Sequence, residues 1–263
     1  MNQQVSPGNA LRLKWWNAPH VLGLDAPVVA MVWQIFLAGV FQIQLPPAAP
    51  ITLGAVVWFI YLFDRLMDTQ KAIPPTCRHR FTARHRPLIK ILLTTCFILV
   101  LVGISRLPKT YIQDGFKTGL VICVYLAIVH GFKPGLMQLP SAKEFMVGFG
   151  FALGVCLPVW SSGLEPTIWM GSIGLFGLLC WTNCRLIDCW ENQQPWHPFE
   201  CVVLVLGSMV CMTSVPMAIL ICHAMALLFL MVIHFYIAGR NKDLARVLAD
   251  CALLMPLITR IMP

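Results

Sequence analysis

The sequence predicts an all-α membrane protein, a polytopic bundle of about nine transmembrane helices, and three observations predict it. Of 263 residues, 58% are apolar and 11% are charged, against roughly 25% charged in ordinary soluble domains. No Asp, Glu, Lys or Arg occurs between Asp25 and Asp64 or between Glu200 and Arg240, and each run is long enough for two helices of about 20 apolar residues. The net charge of +8 comes from basic residues gathered between apolar segments, where they set topology rather than bind nucleic acid. A disordered chain, a collagen-like repeat, a secreted disulfide scaffold and a soluble enzyme with one tail anchor are all excluded by this composition.

Cutting the chain at prolines, glycines and charges places spans at 26–45, 51–67, 87–106, 112–131, 143–160, 165–190, 199–214, 216–237 and 244–262. Pro46, Pro47 and Pro50 separate the first pair, and Pro216 divides the seventh span from the eighth. Lys90, Arg106, Lys117 and Lys133 flank the two shortest apolar runs and can snorkel to the interface. Asp250 interrupts the ninth span. Residues 1–25, with Arg12, Lys14, Trp15 and Trp16, read as a cytoplasmic segment without the apolar core of a signal peptide. Residues 26–263 read as one transmembrane helical domain. Cys96, Cys123, Cys156, Cys180, Cys201, Cys211, Cys222 and Cys251 fall inside apolar segments, where thiols pack as small hydrophobes.

An N-terminus inside the cell satisfies the positive-inside rule. Arg12, Lys14, the basic residues from Arg65 to Lys90, Lys133, Lys143, Arg185, Arg240, Lys242 and Arg246 then share the cytoplasmic side, leaving Arg106, Lys109, Lys117 and Arg260 outside. The loops after the second and sixth spans therefore share one face. In a prokaryote the host bilayer would be the inner membrane.

Acids within or beside a bilayer are costly, so each is a candidate for function. The segment YLFDRLMD puts Asp64 and Asp68 four residues apart at the end of the second span, on one helical face. Two carboxylates so placed can hold Mg²⁺ while leaving positions for water and substrate phosphate oxygens; a solvated helix end beside Arg65 is the simpler reading. NCRLIDCWEN, after the sixth span, offers Asn183, Asp188 and Glu191, with the two acids three residues apart. Arg185 can instead neutralise either acid in a structural ion pair. Between spans two and three, KAIPPTCRHRFTARHRPL carries Lys71, Arg78, Arg80, Arg84 and Arg86 with His79 and His85. Guanidinium groups match phosphate oxygens bidentately, although a patch for lipid headgroups has the same composition.

These residues resemble the UbiA superfamily of intramembrane prenyltransferases. That family has nine helices and a first acidic motif, NDxxDxxxD, whose last two acids match Asp64 and Asp68; Arg86, Pro87 and Leu88 match its closing triplet. Its second acidic motif is similar to Asp188 and Glu191, and its tyrosine, basic residues and glycine-rich fifth helix are similar to Tyr125, Lys133, Lys143 and the run from Gly148 to Pro158. Ile60 and Tyr61 stand where the family has Asn and Asp, and Glu191 replaces an Asp, so one of two magnesium ions would lack ligands.

The resemblance implies a UbiA-like bundle in which Asp64, Asp68, Asp188 and Glu191 hold Mg²⁺ against an isoprenoid diphosphate. Arg80, Arg86 and Lys143 would neutralise departing pyrophosphate, with Arg84, Lys133, Asn183 and Tyr125 binding substrate. Trp58, Tyr61 or Trp181 would face the allylic cation, which a lipid-soluble, aromatic acceptor attacks. A terpene cyclase shares the same cation-generating half-site, and a degenerate member would not catalyse at all. Two other classes compete. A haem bundle would draw on His130, His223 and His234, and a transporter on Asp250, for which Arg246 one turn earlier is an alternative partner. No protein partner beyond substrates and lipid is expected.

Overall fold

A computed structural model describes residues 18–68, 77–131, 141–192 and 195–259, which form helices and turns with no strand among them. In chain order the helices are α1 Ala18–Leu22, α2 Asp25–Val40, α3 Ala48–Asp68, α4 Cys77–Arg84, α5 Arg86–Ile104, α6 Lys109–Gly131, α7 Ala142–Val155, α8 Leu157–Trp160, α9 Pro166–Asn192, α10 Pro198–Met212, α11 Met217–Tyr236, α12 Lys242–Ala252 and α13 Pro256–Thr259. Four of them, α3, α5, α9 and α11, are long and apolar enough to cross a membrane.

The remaining expected spans fall on shorter or more polar pieces. α2, α7 and α10 have 16, 14 and 15 residues, against about 20 for a full crossing. α7 stops at Val155 because Pro158 lies in the first turn of α8 and cannot continue the preceding hydrogen-bond ladder. α6 is 23 residues long but opens with Lys109, Gln113, Asp114 and Lys117. The ninth expected span is not one helix: α12 is amphipathic and gives way to a turn before α13. Asn241 starts α12 by accepting from the Leu244 N–H at 3.0 Å, and Ala245, Ala249 and Ala252 form its buried face.

α9 is the central column. α7 packs along it so closely that a Cβ on Gly148 would sit 2.6 Å from the Trp181 backbone nitrogen. Phe176 of α9 meets Trp33 of α2 with ring centroids 4.3 Å apart, and α10, α11 and α12 pack on other sides of α9. α2 also carries α3, which carries α5; Gly103 at the end of α5 lies against Thr52 at the start of α3, so the two run antiparallel. Phe97 and Leu101 of α5, Phe116 and Val121 of α6 and Phe235 of α11 are exposed, an apolar surface suited to lipid rather than water. The thiols divide likewise: Cys96, Cys156, Cys180 and Cys222 are buried as expected, whereas Cys123, Cys201 and Cys251 are exposed.

The chain closes on itself through Trp33, whose indole N–H donates to the Leu253 carbonyl at 2.6 Å across 220 residues of sequence. Trp33→Phe keeps the ring and removes the donor, leaving a buried carbonyl unpaired. Equilibrium unfolding in detergent is expected to show a loss of about 1–3 kcal/mol.

Candidate functional site

One end of the bundle gathers the groups singled out in the sequence. α3 ends beside the start of α2: Arg65, 4% exposed, donates to the Val21 carbonyl at 2.7 Å, and Trp58 donates to the Leu22 carbonyl at 3.0 Å. The Arg65 guanidinium also lies over the Tyr61 ring, 4.9 Å from its centroid. Gly23, at φ +70°, completes this corner, where a Cβ would meet the Tyr61 ring at 3.1 Å and the Arg65 head at 3.3 Å. Positive φ and crowding both call for glycine. Tyr61 thus supports the α1–α2 turn through Arg65, and Asp64 is half-buried in the same last turns of α3.

Since α5 runs antiparallel to α3, Arg86 starts at the Asp64 end. α4 leads into it with Phe81 and Thr82 buried, and Arg84 and Arg86 exposed. Phe81 stacks on His85 at 4.3 Å, and the His85 ring nitrogen contacts the Phe81 carbonyl at 3.0 Å, which fixes the corner between the two helices. Arg80 lies on α4, Asp68 on α3 and Tyr125 on α6; their side chains, and Lys133 altogether, lie outside the described residues. Lys143 is exposed in the first turn of α7.

The C-terminal end of α9 reaches the same end of the bundle by way of α12. α2 and α12 are in contact. Asn183, 5% exposed, donates from Nδ2 to Asp250 Oδ1 at 3.2 Å. Glu191 takes the Arg246 guanidinium at 2.7 Å, and Arg246 also reaches Asp243 at 3.4 Å. α2 packs against α3 and meets α9 through Trp33 and Phe176.

Asp188 turns another way. Arg185, 3% exposed, binds Asp188 at 2.7 Å and Glu200 of α10 at 2.6 Å, and donates to the Pro195 carbonyl at 2.9 Å. Asn192 completes Asp188 at 2.6 Å, while Glu200 accepts from the His197 backbone N–H at 2.7 Å. The result is a buried clasp across the α9–α10 turn. Asp188 and Glu191, expected to act as one pair, are held by different guanidinium groups, Asp188 by Arg185 of its own helix and Glu191 by Arg246 of α12. Three residues along a helix leave side chains about 60° apart, enough for Asp188 to stay on α9 partners while Glu191 reaches α12. Among the described residues no group of three or more His, Cys, Asp or Glu is arranged to hold a metal ion.

Sequence reasoning missed Glu200 and the pairing of Asp250 with Asn183. Glu200 had a signal: an acid two residues after Pro198, in the first turn of a helix, bonds back to the preceding backbone and complements the helix dipole. In the sequence Asp250 reads as an ion-path candidate or an Arg246 partner; its bond with Asn183 crosses 67 residues. Of the histidines of the haem alternative, His234 accepts from the Trp190 indole at 3.0 Å and His223 lies 3.4 Å from Ser208, while the His130 side chain lies outside the described residues. No family model, no curated protein and no solved structure matches this chain.

Proposed function

We propose that the protein is an integral membrane transferase that moves a prenyl group from an isoprenoid diphosphate to a lipid-soluble aromatic acceptor, in a UbiA-like bundle of nine segments with its N-terminus in the cytoplasm. The observation that supports the reading is the antiparallel course of α3 and α5, which puts Asp64 near the end of α3 at the same end of the pair as exposed Arg84 and Arg86. Asp64 and Asp68, four residues apart, are the groups suited to Mg²⁺, which would offset charge on the phosphate oxygens. Arg84 and Arg86, with Arg80 one turn earlier, take the diphosphate. The carbon–oxygen bond to it breaks with the electron pair leaving on oxygen, the acceptor carbon bonds to the allylic carbon, and the acceptor's proton passes to the released diphosphate. Asp188 and Glu191, holding Arg185 and Arg246, brace α9 rather than complete the metal site.

Purified protein incubated with labelled prenyl diphosphates and Mg²⁺ tests this. Asp64→Asn is expected to lower turnover by about 10²-fold or more, the order seen when a group that stabilises transition-state charge is lost, and Arg86→Gln to weaken diphosphate binding. Turnover that ignores Mg²⁺ or survives Asp64→Asn removes the mechanism. A cyclised product with no acceptor attached identifies the cyclase variant of the same half-reaction.

A second reading has its own support. Arg185 and Arg246 occupy both α9 acids, as befits a non-catalytic relative. It predicts no turnover with any prenyl diphosphate.

A further inference from the structure

Acids and bases are unevenly mixed along the chain. Between Asp68 and Asp114 there is no Asp or Glu, while Lys71, Arg78, Arg80, Arg84, Arg86 and Lys90 fall in the first half of that interval. Arg84, Arg86 and Lys90 are exposed where α4 turns into α5. Like charges gathered on one surface repel one another, and a bound anion relieves that cost.

The same cations head an apolar face. Arg86, Lys90, Thr94, Phe97 and Leu101 recur at helical spacing and so share one side of α5. All five are exposed, Phe97 at 51% and Leu101 at 54%, whereas Ile89 and Cys96 of the same helix are buried against Leu62 of α3. Thr94 donates its hydroxyl to the Lys90 carbonyl at 3.1 Å, so that group makes no demand on surrounding hydrocarbon. A rise of about 1.5 Å per residue puts Leu101 about 16 Å along the helix from Lys90, close to one hydrocarbon leaflet of about 15 Å. The face therefore has the layout of a phospholipid, charge at one end and apolar surface for the depth of a leaflet below it.

We propose that the α4–α5 corner binds an anionic glycerophospholipid, its phosphate at Arg84, Arg86 and Lys90 and an acyl chain along Phe97 and Leu101. A free phosphate would use the cations alone, and the exposed apolar surface continuous with them selects the lipid. In the transferase reading Arg84 and Arg86 take a diphosphate; Lys90 and the apolar face lie outside that reading, and lipid binding requires neither a diphosphate nor Mg²⁺.

Titration of the full chain, purified in a neutral detergent, with dioctanoyl phosphatidylglycerol and with dioctanoyl phosphatidylcholine tests the site, read by native mass spectrometry without Mg²⁺ or any diphosphate. Saturable phosphatidylglycerol binding at least about tenfold tighter than phosphatidylcholine is expected, a comparison that needs no variant to fold. Lys90→Gln and Arg84→Gln should each weaken it about fivefold, the factor equivalent to about 1 kcal/mol per cation near an anionic headgroup. Arg240→Gln, which removes an exposed cation in the α11–α12 turn, should leave it intact, and inorganic phosphate at equal concentration should not displace the lipid. Equal affinity for the two lipids, no saturable binding, displacement by phosphate, or equal losses in Arg240→Gln and Lys90→Gln overturns the site. Selective lipid binding by a protein that turns over no prenyl diphosphate removes the transferase reading and supports this site; turnover without selective lipid binding does the reverse.

Discussion

Arg185→Met is expected to destabilise the protein by about 3–5 kcal/mol, the range found when one partner of a buried ion pair is removed. The guanidinium has three acceptors, Glu200, Asp188 and the Pro195 carbonyl, and its loss leaves Glu200, 1% exposed, as a buried carboxylate without its counter-charge. Denaturant unfolding followed by helical circular dichroism gives the measurement. Arg185→Met with Glu200→Gln should recover part of the loss, because the amide needs no cation. A single variant as stable as wild type would show that the clasp does not hold the α9–α10 turn.

Gly148→Ala should cost about 1–3 kcal/mol, the usual penalty for forcing extra volume into a packed interior. Its Cβ would meet the Trp181 nitrogen at 2.6 Å and the Trp181 Cα at 2.9 Å. Both are backbone atoms that cannot rotate away, so α7 must separate from α9. Gly154→Ala on the same helix is the control: its Cβ would meet only Leu53 Cδ1 at 3.5 Å, an ordinary contact. Unfolding measurements should find that variant within about 1 kcal/mol of wild type, since alanine favours a helix over glycine by that order. Equal losses at the two positions would contradict the close α7–α9 approach.

The helices were legible where apolar runs meet strong punctuation. Pro46 and Pro47 lie in the α2–α3 turn, Pro50 in the first turn of α3, and Pro216 directly precedes α11. Shorter pieces were obscured by composition. Leu157 to Trp160 is as apolar as the helix before it, so only Pro158 marked the break; α12 hides its amphipathic face in alanines, weak signals on a hydropathy scale. At the candidate site, shared placement of Asp64 and Arg86 followed from alternation of the segments. The Arg185–Asp188 pair was legible as an i,i+3 alternative, but the engagement of Glu191 was not, because Arg246 lies 55 positions beyond it in the chain and spacing alone carries no information about so distant a neighbour.

The bond from Trp33 to Leu253 bears on biosynthesis. A ribosome releases the donor 220 residues before the acceptor, and domains generally consolidate as their parts emerge. The helices around Trp33 must therefore wait with that indole unclaimed, and ribosomes stalled before residue 253 should yield nascent chains in which those helices remain open to proteolysis that the finished protein resists.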